Sequence, residues 1–131
     1  MTQIHAIAWL DHREAHIATF SLGSSNMIAV HSRRPKQRIH HKANEIGSGK
    51  ASDDHAFFDE IAESLSTTSE VLVVGPGNAK TAFATYVQAR HPDLAKRIVG
   101  VETLDHPTDG QLLAHARTTF AAMDQLGTQG A

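Results

Sequence analysis

An almost uninterrupted aliphatic run, closed by Gly-Pro-Gly, constrains the fold of this chain more than any other stretch. The run occupies residues 71–74, and the Gly-Pro-Gly follows it directly. Apolar residues without alternation predict a strand covered on both faces, and therefore a central, parallel one. Gly75 and Gly77 predict a sharp turn with a close approach to a neighbouring strand. Asn78 is predicted to cap the following helix with its side chain.

The rest of the chain divides into segments with a strand period or a helix period. Strands are predicted over 4–10, 14–21, 26–31, 71–74 and 98–103, and helices over 53–65, 79–90 and 108–125. Three consecutive strands predict an antiparallel meander, and the later alternation of strands and helices predicts right-handed parallel crossovers. If strand four pairs with strand one, the result is an α/β fold. It has a mixed five-stranded sheet of order 3-2-1-4-5 with three helices, the ribonuclease H-like arrangement, in one domain over residues 1–131.

The ends of two helices can also be predicted. Ser52 or Asp53 is expected to cap the first helix, with acidic residues in its first turn. Thr108 or Asp109 is expected to cap the third helix, and residues 127–131 are expected to be a frayed tail. The first helix carries an apolar stripe at helical spacing, formed by Phe57, Phe58, Ile61, Ala62 and Leu65.

Composition excludes several classes of protein. The chain has 131 residues, 40% of them hydrophobic, and no cysteine. Disulfides, thiolate metal sites and a cysteine nucleophile are therefore excluded, and a cytoplasmic location is favoured. The start of the chain has neither a basic nor a long apolar region of the secretory type. No apolar run approaches the ~20 residues of a membrane helix, so no membrane partner is expected.

Positive charge is concentrated in one stretch, residues 32–52, which we call the basic segment. The net charge of the chain is -2, yet six of its 12 Lys and Arg residues lie between Arg33 and Lys50, against one acid, Glu45. The stretch has neither a helix nor a strand period and is long for a connection, which is typical of functional loops. Such a density of positive charge suits contact with phosphates. A solvated loop without a ligand explains the same pattern equally well.

A ribonuclease H-like fold raises the possibility of a two-metal nuclease, which needs three converging acids. Asp11 follows the first strand, and Glu60 or Glu63 lies on the first helix, but the fourth strand offers no acid. Asp11 is therefore predicted to be a turn residue. The histidines lack the spacing of a zinc helix, so no catalytic residue, metal site or cofactor is predicted.

The turn after the fourth strand is a second possible anion site, because helix N-termini bind anions. Its residues would be Gly75, Gly77, Asn78 and Lys80. The spacing fits neither a P-loop nor a dinucleotide-binding motif. A tight strand-to-helix turn without a ligand is the favoured interpretation.

Several short motifs together resemble a known family. They are Trp9–Ala15, His40–Lys42, Val73–Thr81, Gly100–Glu102 and Asp105–Leu112. These motifs resemble those of short bacterial proteins labelled translational machinery proteins. Those short proteins in turn resemble one domain of larger factors: the middle domain of archaeo-eukaryotic release factors and of the rescue factor Pelota. They look like stand-alone bacterial relatives of that domain. The resemblance covers nearly the whole chain and implies the fold deduced above.

The resemblance also implies a function. In release factors a Gly-Gly-Gln loop follows the third strand, whereas this chain has Gly47-Ser48-Gly49 there, with no glutamine after it. The implied protein is a noncatalytic, cytoplasmic binder of the ribosome, rRNA or tRNA. Its contacts would be Arg33, Arg34, Lys36, Arg38, His40, His41, Lys42 and Lys50.

Two alternatives remain open from the sequence. One is a degenerate nuclease or esterase acting on RNA-linked substrates, with Asp11, His12 and Glu14 as its motivating residues. The other is a scaffold or homo-oligomer that associates through an exposed edge of the sheet.

Overall fold

The computed structural model of the protein describes residues 3–21, 23–32 and 54–130, with residues 124–130 described as helical backbone. Its strands are β1 (His5–Leu10), β2 (Glu14–Ser21), β3 (Ser24–His31), β4 (Glu70–Gly75) and β5 (Ile98–Thr103). Its helices over these ranges are α1 (His55–Ser64), α2 (Ala79–Arg90), α3 (Pro92–Ala95) and α4 (Asp109–Gly130).

The five strands form one mixed sheet in the order β3-β2-β1-β4-β5. β1 and β2 are antiparallel, as are β2 and β3. β4 lies parallel to β1 on one side and to β5 on the other. The α/β class and the predicted strand order are confirmed. The aliphatic run of β4 is buried along its length because strands cover both of its edges and helices cover both of its faces.

Helices cover the sheet on two faces. On the face of α1 and α2, the apolar stripe of α1 packs with Phe83 and Val87 of α2 and with alternate residues of β1 and β4. On the opposite face, α4 packs Leu112, Ala116 and Phe120 against the other alternate residues of those strands. Central strands that are apolar on both faces require this arrangement of three layers.

The predicted start of α1 is wrong by two residues. Asp54 caps this helix, and its carboxylate accepts a hydrogen bond from the backbone N–H of Phe57 at 3.1 Å. Ser52 and Asp53, the predicted caps, lie outside the described residues. The first turn contains no acidic residue, because the helix begins after the acids rather than on them.

Helix α4 begins as predicted but extends further. Thr108 Oγ1 accepts the N–H of Gln111 at 3.1 Å, and Gln111 Oε1 accepts the N–H of Thr108 at 2.9 Å, a reciprocal capping box. The helix runs to Gly130, through most of the range predicted to fray. Neither α4 nor any other helix in the described ranges combines the length and the apolar character needed to cross a bilayer.

Candidate functional site at the carboxyl edge of the sheet

Four strands end at the same edge of the sheet, which we call the carboxyl edge. β1, β4 and β5 are parallel, and two antiparallel steps give β3 the same direction. Helices α1, α2 and α4 all begin after one of these strands and run back along the sheet. The carboxyl edge therefore gathers three helix N-termini, each with partial positive charge. Open α/β sheets bind ligands at this edge.

Ser32 and Asp54, the described residues on either side of residues 33–53, meet at a single point of the carboxyl edge. Ser32 follows β3, and its backbone N–H donates to the carbonyl of Arg13 at 2.8 Å. The Ser32 hydroxyl donates to the carboxylate of Asp54, the residue that caps α1. The chain therefore leaves the sheet and returns to it across one hydrogen bond. The eight predicted contact residues of this segment, Arg33 through Lys50, lie outside the described residues.

Gly75 allows β4 to approach β1 closely at the carboxyl edge. A Cβ atom at this position would lie 2.2 Å from the backbone oxygen of Leu10, far inside van der Waals contact. The predicted close approach is thus confirmed for Gly75. It is wrong for Gly77, where an added Cβ would meet nothing within 4 Å. The Gly75 carbonyl also accepts the N–H of Leu104 at 2.9 Å, which joins the turn to the end of β5.

The start of α2 is organised by backbone groups. Asn78 occupies the N-cap position, but its side chain makes no capping hydrogen bond, so the predicted cap is wrong in that respect. Its backbone conformation is already helical, which turns the side chain away from the orphan N–H groups. Lys80 Nζ donates to the Gly77 carbonyl at 2.5 Å, so this ammonium already has one hydrogen-bond acceptor within the turn. The turn places Gly75, Gly77, Asn78 and Lys80 together at the edge.

A small cavity of about 210 Å³ opens at the start of α4, on the face of the sheet that this helix covers. Trp9 forms one wall, and its indole N–H donates to the carbonyls of Leu104 at 3.2 Å and Asp105 at 2.6 Å. The rings of His106 and His16 lie 5.1 and 5.7 Å from the Trp9 ring. The two backbone acceptors hold the indole in place, and the two imidazoles line the cavity around it.

Carboxylates surround the imidazoles of this pocket. His16 lies 3.6 Å from Asp109 and 3.7 Å from Glu14, and Glu14 also lies 3.4 Å from His31. His106 Nδ1 lies 3.0 Å from Asp105. Three carboxylates, those of Glu14, Asp105 and Asp109, therefore lie on the pocket side of the carboxyl edge.

Asp11 stabilises the β1–β2 turn, as predicted. Its Oδ1 accepts the backbone N–H groups of Arg13 at 2.8 Å and Glu14 at 2.9 Å. This is an Asx-type turn, which occupies the carboxylate with local donors. Over residues 3–21, 23–32 and 54–123, no three His, Asp or Glu side chains are grouped so that they could hold a metal ion.

A second polar cluster lies on the face of α1 and α2. The hydroxyl of Tyr86 donates to Asp59 Oδ1 at 2.6 Å, and His91 Nε2 lies 2.9 Å from the same oxygen. The bond from Tyr86 lowers the pKa of the Asp59 carboxyl, with a further contribution from His91. The same bond raises the pKa of the Tyr86 hydroxyl. His55 stacks on Tyr86 at 4.6 Å, and Arg90 lies 5.6 Å from its centroid, so the cluster ties α1 to α2.

The strand order and the two helical layers define the class of protein: an α/β fold with a mixed five-stranded sheet of order 3-2-1-4-5. Comparison with known proteins narrows this class. No family model matches the chain. Over 61 residues, 44% of this chain, it is 43% identical to a Pelota homolog of Methanoculleus marisnigri and covers 18% of that protein.

Solved structures agree with this match. Archaeoglobus fulgidus Pelota superimposes with a TM-score of 0.59 at 18% identity, over 85% of this chain and 29% of that one. The archaeal translation termination factor aRF1 gives a TM-score of 0.57 at 18% identity, over 95% of this chain and 40% of that one. The chain thus has a Pelota- and release-factor-like middle-domain fold, which confirms the resemblance found in its motifs. It spans less than half the length of these relatives. A bacterial source stays a prediction.

Sequence reasoning did not single out His16, His106 or Asp109 as members of one site. His16 lies on β2, far in the sequence from His106 and Asp109, and meets them only because β1 and β2 bring Trp9 and His16 beside the start of α4. One signal was present: Trp9 and the stretch Asp105–Leu112 both belong to the motifs that carry the family resemblance. Two motifs that are distant in the sequence indicate a shared site when the predicted strand order places both at one edge of the sheet.

Proposed function

We propose that this protein is a noncatalytic, translation-factor-like protein that binds ribosomal RNA or a tRNA-loaded ribosome through its basic segment. The observation that carries the proposal is the place where the described chain borders that segment. Ser32 and Asp54 hydrogen-bond to each other at the carboxyl edge of the sheet, at the start of α1. The likeness to Pelota and to an archaeal translation termination factor supports the choice of translation as the process.

Electrostatics favour a phosphate ligand at this edge. The segment contains six Lys and Arg residues and a single acid, Glu45. The N-terminus of α1 adds partial positive charge at Asp54, where the described chain resumes. The acids of the Trp9 pocket lie toward α4 and would repel phosphates there. A polyanion would therefore run past β3, α1 and the α2 turn.

The test is ribosome co-sedimentation over a series of salt concentrations. We expect the variant R33A/R34A/R38A to weaken binding at least about tenfold and to reduce the log–log salt slope by about 3, one for each arginine that no longer neutralises a phosphate. The matched control is R90A/K96A/R117A, which removes the same number of exposed charges from other parts of the surface. Equal reductions in affinity for the two variants, or binding insensitive to salt, would contradict the proposal.

The α2 turn is proposed as a secondary anion contact in the same complex. Lys80 already donates to the Gly77 carbonyl, so a phosphate would have to compete with that bond. We expect Lys80→Ala to reduce the salt slope by less than about 1. If Lys80→Ala reduced the salt slope as much as the triple arginine variant does, the main phosphate contact would have to be assigned to this turn instead.

The noncatalytic part of the proposal depends on the missing tripeptide. The chain contains no Gly-Gly-Gln, the feature that the resemblance assigns to peptide release. We expect ribosomes loaded with labelled peptidyl-tRNA to release peptide at the background rate when this protein is added. Release above background that is lost with Asp11→Ala would favour the alternative enzyme, an esterase acting on RNA-linked substrates.

A further inference from the structure

Within the described residues, strand β3 has none of the features that usually protect the edge of a sheet. It is eight residues long, and within the described residues it has a neighbouring strand on one side only, β2. Its sequence, Ser-Ser-Asn-Met-Ile-Ala-Val-His, contains no Lys, Arg, Asp, Glu or Pro. The pairing with β2 runs through eight consecutive residues without a bulge. Natural proteins normally protect such an edge with charge, proline or a bulge.

The other outer strand, β5, is protected in two of these ways. Its pairing with β4 contains a register shift between Val71 and Leu72. Glu102, the next-to-last residue of β5, places a carboxylate on this strand and lies 3.1 Å from His115 of α4. β5 does expose two apolar side chains, Val99 (38%) and Val101 (43%). The two edges of this sheet differ in charge and in regularity, and the uncharged, bulge-free β3 is the one suited to regular strand pairing.

Hydrogen bonding fixes which residues of β3 face outward. The N–H of Ser32 points to β2, where it donates to Arg13. Backbone groups alternate in direction along an antiparallel strand, so even-numbered residues face β2 and odd-numbered residues face away. The outward-facing residues are Ser25, Met27, Ala29 and His31.

We propose that β3 is a homodimer interface, at which a second copy of this chain adds its own β3 antiparallel to the first. A twofold axis through Ile28 places Met27 opposite Ala29 and Ser25 opposite His31, so every outward-facing residue meets another. This register forms about eight interchain N–H···O bonds and joins two sheets into one. It also places Ile28 opposite its own copy.

The residue at the centre of this register supports the choice of occupant. Ile28 is 37% exposed and is the one large hydrophobic side chain of β3 that is exposed to that extent. Pairing with its own copy would cover this side chain without placing any charge opposite a like charge. A closed twofold assembly of identical chains is also the commonest form of association. An interface of one strand per chain is small, so the dimer would be a weak one.

Concentration dependence is the first test. Sedimentation equilibrium of the full chain, from micromolar to submillimolar concentration, should give a weight-average mass that rises from 14.2 kDa toward twice that value. The variant Ala29→Pro should abolish the rise, because it removes an outward-facing N–H and leaves the β2 ladder intact. Circular dichroism of this variant checks that it folds. A wild-type mass that stays at one chain throughout would overturn the proposal.

The absence of cysteine permits a test of the register itself. In the proposed register the two copies of residue 28 form a non-hydrogen-bonded pair with Cα atoms about 4.5 Å apart, within reach of a disulfide. Mild oxidation of Ile28→Cys should therefore give a covalent dimer. Met27→Cys should give far less, because its partner is Ala29. Val101→Cys, 43% exposed on β5, is the matched control and should stay monomeric. Equal cross-linking of all three would indicate random collision and refute the interface.

Discussion

The two faces of the sheet are packed by different chemistry. On the face of α1 and α2, apolar rings close the core: Phe58 lies 5.5 Å from Phe83 and 5.6 Å from Tyr86. On the face of α4, the corresponding rings alternate with imidazoles, and Phe120 lies 4.6 Å from His5 and 5.9 Å from Phe20. The first face is a conventional apolar core, and the second combines packing with polar groups that need partners.

The difference shows where this fold can carry function. Two polar rings on the α4 face are hydrogen-bonded: Trp9 donates to backbone carbonyls, and His115 Nε2 lies 3.1 Å from Glu102. His5 Nε2 lies 3.2 Å from Glu70 but is buried with no hydrogen-bond partner among the described residues. Groups of this kind cost stability unless they are paired. The α1/α2 face keeps its polar cluster of Asp59, Tyr86 and His91 beside an apolar core. The α4 face instead has polar rings within its packing, Trp9 near the carboxyl edge and His5 near the opposite edge.

Removing one ring from each face tests the comparison most directly. We expect Phe83→Ala to lower the free energy of unfolding by about 4 kcal/mol and Phe120→Ala by about 3 kcal/mol. The smaller effect is expected because the neighbours of Phe120, His5 and Phe20, are only half-buried and can move into the space. Urea denaturation followed by circular dichroism measures both. An equal or larger loss of stability for Phe120→Ala would mean that the α4 face is the more rigid one.

The glycines of the β4 turn test whether the two faces share a fixed central pair of strands. Gly75→Ala should cost about 3 kcal/mol, because its Cβ would collide with the Leu10 backbone and separate β1 from β4. Gly77→Ala, where an added Cβ meets nothing, should stay within about 0.5 kcal/mol of the wild type. Comparable destabilisation in the two variants would show that the turn, rather than the contact between strands, is sensitive.

The smallest expected effect concerns the polar cluster of the α1/α2 face. The pKa of Asp59 lies below its usual value of 3.8, so this group adds stability above pH 4 that is lost as the pH falls through its folded pKa. Tyr86→Phe removes the main cause and should raise that pKa toward 3.8. Because the carboxyl is largely exposed, the change in stability should be less than about 1 kcal/mol. An NMR titration of the Asp59 side chain measures the pKa, and an unchanged value would contradict the assignment to Tyr86.

Sequence patterns predicted the first face well. The stripe of Phe57, Phe58, Ile61, Ala62 and Leu65 is buried throughout, and α2 and β5 have the predicted limits. Such patterns succeed because apolar burial follows the period of each element. The predictions at helix ends were less accurate. Asp54 rather than Asp53 caps α1, since several neighbouring polar residues can each fill that role.

The same patterns predicted less of the candidate site. Histidines follow neither the helix period nor the strand period, so the grouping of His16 and His106 around Trp9 depends on pairing between distant elements. The hydrogen bond from Lys80 to the Gly77 carbonyl likewise depends on the folded geometry of the turn, which the sequence pattern does not specify. Charge density did identify the basic segment, because that property needs no knowledge of contacts. Its proposed role in binding stays a prediction.

The closure between Ser32 and Asp54 has an evolutionary consequence. When an insertion enters and leaves a fold at one place, lengthening or replacing it does not move the strands on either side. The entropic cost of a longer insertion grows only with the logarithm of its length. Descendants of a common scaffold can therefore exchange the peptide inserted at this position, and acquire or lose an activity, while the sheet beneath it is inherited unchanged.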